Sequence, residues 1–160
     1  MSIGTAGFRQ ESDTAIYEMQ IDNAMALNEK LPPIKGIYYF SYACDATILA
    51  DDGTRSLDPE LGGGMYKVSG ARLCTYEGVT PSGYVIDEKW QANDGLVNTY
   101  SALVPIGAPS VDYNADSVTT GIWNVMPFMR GNHSTLQGGM TKALNGRIFF
   151  VDLLSMINSL

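Results

Sequence analysis

Between Asp13 and Leu31 the apolar positions Ile16, Met19, Ile21, Met25 and Leu27 are spaced among polar ones, with Asp13 and Asp22 standing where helix N-caps would stand. The pattern predicts two short helices, or one kinked helix, stopped by Pro32 and Pro33. The run "GIYYFSYA" at residues 36–43 is aromatic and β-branched, the composition of a buried strand. Residues 45–85 are rich in Asp, Gly and Pro and hold no sustained period, which predicts a long surface loop system of the kind that usually serves function. A second strand is predicted at "GIWNVMPFM", residues 121–129, with Pro127 marking a strand end or an edge. Beyond Gly138 and Gly139, Leu144, Ile148, Val151, Leu154 and Ile157, or Phe149, Leu153 and Met156, recur at helical spacing, and Gly146 is the only local breaker. This is the pattern of a C-terminal amphipathic helix lying on a sheet. The succession helix, strand, loop, strand, helix implies α/β layering.

Composition narrows the function classes. A chain of 160 residues with 45% apolar content is the size of one domain or of part of one. Its net charge of −7 repels phosphate backbones and anionic membrane surfaces, so nucleic acid is not an expected partner. The sequence shows neither a signal-peptide pattern nor an apolar run long enough for a transmembrane helix. Cys44 and Cys74 can pair or remain free, and two cysteines make neither a disulfide framework nor a four-ligand zinc site.

Candidate chemistry gathers at two places. In "KWQANDGLVNTYS", Asp94 stands between Asn and Gly, where an acid commonly serves the turn itself. The only histidine, His133, lies in "RGNHSTLQGG", a Gly-flanked loop after one predicted strand and before the predicted C-terminal helix. A lone loop histidine is ordinarily surface decoration, but loops at strand ends are also where catalytic groups are presented. An imidazole acting as a base needs a carboxylate to fix its tautomer and support the imidazolium, and Asp94 is the candidate partner. Trp90 and Trp123 are assigned to packing rather than to substrate contact.

The strings "DTAIYEMQ", "IYYFSYA", "PELGGGM" and "WQANDGLVNTYS", followed by "GIWNVM" and His133, resemble in that order the C-terminal half of the thermoalkalophilic bacillar and staphylococcal triacylglycerol lipases. The resemblance runs from about Phe8 to the C-terminus, and Trp-x-x-Asn-Asp-Gly-hydrophobic-Val-Asn is its most specific element. It implies a partial α/β-hydrolase fold, the C-terminal part, with a mostly parallel sheet flanked by helices and long loops. Residues 1–160 are then the C-terminal portion of one lipase-like domain, expected to be loosely packed or partner-dependent alone. The resemblance further implies hydrolysis of acyl esters in lipid catabolism, with Asp94 as triad acid and His133 as triad base, and by family habit secretion.

The nucleophile of such a triad belongs upstream of the acid, on a Gly-x-Ser-x-Gly elbow. No serine here has Gly two positions before it, and Cys44 and Cys74 follow Tyr42 and Arg72 at that offset. The chain is therefore expected to supply acid and base only, with an upstream lipase segment in cis or trans as partner and no ester turnover by itself. A non-catalytic lipase-like remnant or binding module is the alternative, and a metal-dependent hydrolase is disfavoured by the single histidine. For calcium, the family's carboxylate positions read Thr135 and Met140, so no calcium site is expected. For zinc, Glu18 falls where one acid ligand would stand, but one histidine does not close a site, and Glu18 is expected to be a solvated helix-face carboxylate.

Overall fold

The computed structural model describes residues 14–138 and 144–160. Asp13, Gly139 and Met140, named above, lie outside them. Two helices open the described chain, α1 (Ala15–Glu18) and α2 (Ile21–Lys30). Thr14 caps α1 by accepting the Tyr17 N–H, and α2 stops at Leu31, just before the prolines. Asp22 is not the cap of α2. Gln20 occupies that place, and Asp22 sits inside the first turn, where its carboxylate accepts the Ser82 N–H at 3.0 Å and the Ser82 hydroxyl at 2.6 Å. These bonds hold the Asp22 carboxyl below the usual range and tie α2 to a loop 60 residues away.

Strands follow in short pieces: β1 (Tyr39–Ser41), β2 (Cys44–Asp45), β3 (Thr47–Leu49) and β4 (Arg55–Leu57). The chain then passes through a 3₁₀ turn (Gly64–Tyr66) into α3 (Lys67–Leu73), and through β5 (Gly78–Val79) and β6 (Val85–Ile86) to a second 3₁₀ turn (Glu88–Trp90). Last come α4 (Thr99–Leu103), β7 (Ser110–Asp112), β8 (Trp123–Val125), β9 (Met129–Arg130) and α5 (Gly146–Asn158). Among the described residues no helix is long and apolar enough to cross a membrane.

The principal sheet is parallel, in the order β1-β8-β7, with Tyr39 and Ser110 both in register with Trp123. The same two chain segments resume as the parallel pair β2-β9, Cys44 opposite Met129. Between Ser41↔Val125 and Cys44↔Met129 the β8 side carries one residue more than the β1 side. Pro127, which has no N–H to give, lies in that surplus, and the ladder is held around it by Met126 N–H to Ser41 O and Met129 N–H to Ala43 O. The strand predicted over residues 121–129 is thus two short strands broken at the proline. Likewise only residues 39–41 of the predicted 36–43 strand are in the sheet, with Tyr39 and Phe40 half-buried and Tyr38 making a single bridge to Thr120.

Residues 45–85 depart most from expectation. They hold the antiparallel pair β3-β4, helix α3 and the antiparallel pair β5-β6. Asp52 makes the β3-β4 turn by accepting the N–H and hydroxyl of Thr54, with Gly53 beside it at φ +84°. α5 begins at Gly146, with Asn145 as its cap, and lies over the sheet: Phe149 meets Tyr42 edge to face at 5.2 Å. A cleft of ≈ 400 Å³ between them is lined by Tyr42, Met126, Met129, Phe149, Leu153 and Met156. The opposite face of α5 leaves Phe150, Val151, Leu154 and Ile157 exposed. Among the described residues the buried apolar set is small, namely Ala43, Cys44, Ala46, Cys74, Ile86 and Trp90. Polar residues make up much of the interior, Asn93 and Asn124 being wholly buried.

Candidate catalytic acid–base pair

Asp94 is held in a turn that the backbone closes on itself. Its N–H donates to Val97 O at 3.0 Å, and Asn93 bridges Asn98 across the turn. The side chain of Asn93 is the turn's anchor: its amide donates to Gln91 O at 2.8 Å and Gly70 O at 3.3 Å, while its Oδ1 accepts the Gly95 N–H at 2.8 Å. Gly95 takes φ +98°, which an L side chain rarely adopts, and its carbonyl accepts the Ser69 hydroxyl at 2.6 Å. Helix α3 is therefore pressed against the acid's turn. Gly70 permits this closeness, since a Cβ there would stand 2.9 Å from Gly95 Cα.

The Asp94 carboxylate has its two oxygens assigned to different work. Oδ1 accepts the backbone N–H of Leu96 at 2.9 Å and of Val97 at 2.7 Å. Oδ2 lies 2.9 Å from His133 Nδ1. The pairing is reinforced in the main chain, where the His133 N–H donates to Asp94 O at 2.9 Å. Both expected partners thus stand within hydrogen-bond reach. Because an ionised carboxylate only accepts, the bond requires Nδ1 to carry a proton, and the neutral imidazole then presents Nε2 as a lone pair. His133 keeps 33% of its side chain exposed, against 12% for Asp94.

The loop that carries His133 is fixed on its approach from β9. Arg130 bonds Asp58 at 2.8 Å, donates to Thr47 O and faces the buried carboxylate of Asp45 at 3.7 Å. Asp45 also accepts the N–H and hydroxyl of Thr47 and faces Arg55 at 3.9 Å. Two residues later, buried Asn132 donates from its amide to Leu61 O at 2.9 Å and accepts the Ser134 N–H at 3.0 Å. Thr135 Oγ1 accepts the Asn132 N–H at 2.9 Å. None of Asn93, Asp45, Arg130 and Asn132 was singled out from the sequence. The signal that points to Asn93 is its place beside the acid in Asn-Asp-Gly, and for the others only their nearness to β2 and β9 does so.

Cys44 and Cys74 are both free and buried. Burial, with the Asp94 and Asp45 carboxylates adding to it, pushes the Cys44 thiol up to about 11, and burial likewise raises Cys74. Both are protonated at neutral pH, the inert form of a thiol. Glu18 is exposed on α1, and among the described residues no three of His, Cys, Asp and Glu converge as a metal site would need. Thr135, at one of the positions compared with calcium ligands, uses its hydroxyl within the His133 loop.

A parallel sheet flanked by helices, with an acid turn and a histidine loop meeting beside it, defines a partial α/β fold of the lipase and esterase kind. The comparisons with known proteins agree. A lipase from Staphylococcus hyicus is 30% identical over 151 residues, which is 92% of this chain and 22% of that protein. Among solved structures, EstA from Clostridium botulinum superposes with a TM-score of 0.83 at 25% identity, covering 95% of this chain and 36% of that one. The Staphylococcus hyicus lipase structure gives 0.73 at 25% identity, over 94% and 37%, and lipase 1 from Pelosinus fermentans gives 0.69 at 28% identity, over 86% and 37%. No family model matches the chain. It is thus similar over nearly its whole length to the C-terminal part of bacterial lipases, and it spans only 22% to 37% of the proteins it matches.

Proposed function

We propose that this chain supplies the acid and the base of a serine-type hydrolase acting on acyl esters of lipids. The observation that carries the reading is the 2.9 Å contact between His133 Nδ1 and Asp94 Oδ2, made by a carboxylate whose other oxygen is pinned by two backbone N–H groups. In the reaction, a serine hydroxyl from an upstream segment attacks the ester carbonyl while His133 Nε2 takes its proton. Asp94 stays ionised and steadies the imidazolium. The tetrahedral intermediate collapses with release of the alcohol, which leaves with that proton, and a water activated by the same nitrogen then hydrolyses the acyl-enzyme. Resemblance to lipases and an esterase supports the substrate class.

The nucleophile and the oxyanion donors come, in this reading, from a Gly-x-Ser-x-Gly-bearing segment joined in cis or supplied in trans. The second reading, a lipase-like binding module without hydrolysis, is favoured by the absence of that motif from the 160 residues. Hydrolysis of a p-nitrophenyl acyl ester separates them. The proposal expects none from this chain alone and recovery when an upstream lipase segment is fused or added. Failure of every such pairing that forms a stable complex would favour the binding module.

A further inference from the structure

Tyr66 touches the turn that carries Asp94 and the ring of His133. It closes the 3₁₀ turn and stands at the N-cap of α3, so its backbone is set by the helix that grips the acid turn. Its stem lies on Gly95, where an added Cβ would come within 2.6 Å of Tyr66 Cβ. Its ring meets the imidazole of His133 edge-on, with centroids 6.2 Å apart and planes at 62°. Its hydroxyl shares a 2.5 Å hydrogen bond with Ser134 Oγ, on the residue next to the base.

The bond to Asp94 fixes His133 at one ring nitrogen only. A partly exposed imidazole held at one corner can turn about its ring axis or exchange its proton to the other nitrogen. An aromatic edge against the ring, together with a bond to the next residue, limits both. We propose that Tyr66 is a positioning residue for His133, clasping its ring and the Ser134 hydroxyl so that Nδ1 stays on Asp94. The inference rests on the acid–base reading given above. The Tyr66 hydroxyl is engaged by Ser134, so it works through placement rather than by passing a proton to the imidazole.

Because His133 is the only histidine of these 160 residues, a long-range ¹H–¹⁵N spectrum of the histidine-labelled chain, ligated to an unlabelled upstream lipase segment, reports a single imidazole. The acid–base reading requires the wild type to show a protonated Nδ1 and a bare Nε2, and a wild type protonated at Nε2 sinks that reading before Tyr66 is tested. Given the expected wild type, Tyr66→Phe keeps the ring and removes one hydrogen bond, so the ratio of Nδ1–H to Nε2–H tautomer falls about fivefold. Ser134→Ala lowers it similarly, and the double variant adds little, because both remove the same bond. Tyr66→Leu, which also removes the ring edge, lowers the ratio further, and should that variant not fold, Tyr66→Phe and Ser134→Ala decide. Wild-type ratios in both of these would overturn the proposal.

Discussion

Replacing Asp94 in two ways separates its duty to the turn from its duty to the histidine. Asp94→Ala deletes both oxygens, leaving the N–H groups of Leu96 and Val97 without their acceptor and His133 Nδ1 without its partner. Hydrogen bonds to a charged group contribute about 1.5–3 kcal/mol each, and partial exposure lowers the yield, so the loss is about 2–4 kcal/mol. For a chain of this length that lowers the thermal midpoint by on the order of 10 °C. Asp94→Asn is different. Its amide oxygen takes the place of Oδ1 and keeps both turn bonds, which limits the loss to about 1 kcal/mol. Its NH₂ group then faces Nδ1, which must accept, and the proton moves to Nε2. The lost charge-assisted bond shifts the tautomer ratio by about tenfold, the lower end of its range because His133 is a third exposed. Circular dichroism melts and the single-histidine ¹⁵N spectrum read the two effects apart. An Asp94→Asn protein with the wild-type tautomer would refute the claim that this carboxylate orients the base, and an Asp94→Ala protein with an unchanged melt would refute its role in the turn.

Three further outcomes follow from the packing around the pair. Gly70→Ala places a Cβ 2.7 Å from Leu57 Cδ2 and 2.9 Å from the backbone of Gly95, so it should cost about 1–3 kcal/mol in a melt, and a neutral result would mean that α3 does not bear on the acid turn. Asp58 is held below the ordinary carboxylate value of 3.8 by the Glu60 N–H and by Arg130. Its folded pKa is the lower one, so its stabilisation is fully present above the unfolded value and is lost as pH falls from there through the folded pKa. Asp58→Asn should therefore flatten the acid limb of a melting curve measured from pH 6 to pH 2, and an unaltered limb would contradict the assignment. Cys44 and Cys74, protonated and buried, should resist a thiol reagent at pH 8 until denaturant is added, whereas rapid labelling of the native chain would contradict their burial.

The contact between Asp94 and His133 was legible through the family resemblance, because each stands in a short string that carries it: a turn-forming Asn-Asp-Gly, and the sole histidine in a Gly-flanked loop. α5 was legible from an apolar repeat sustained long enough to show its period. The strands are shorter than their apolar runs. β1, β8 and β9 are two or three residues each, and where Pro127 interrupts the ladder the apolar run continues although the pairing does not. The strands within residues 45–85 leave no pattern in the sequence because they alternate only once or twice and their anchors are polar, as in the Asp45, Arg55 and Arg130 cluster. Tyr66 was beyond reach from sequence, since its partners Gly95, His133 and Ser134 come from distant segments and carry no mark of the contact.

Whether His133 acts as the base is read from ester hydrolysis by the chain joined to a nucleophile-bearing lipase segment, measured with His133 intact and with His133→Ala. Turnover of a p-nitrophenyl ester is expected in the first and a loss of about 10⁶ in the second, with Asp94→Asn losing about 10⁴, the sizes of the equivalent losses in serine proteases. Full turnover after His133→Ala, or turnover by residues 1–160 with no partner segment, would contradict the proposed function.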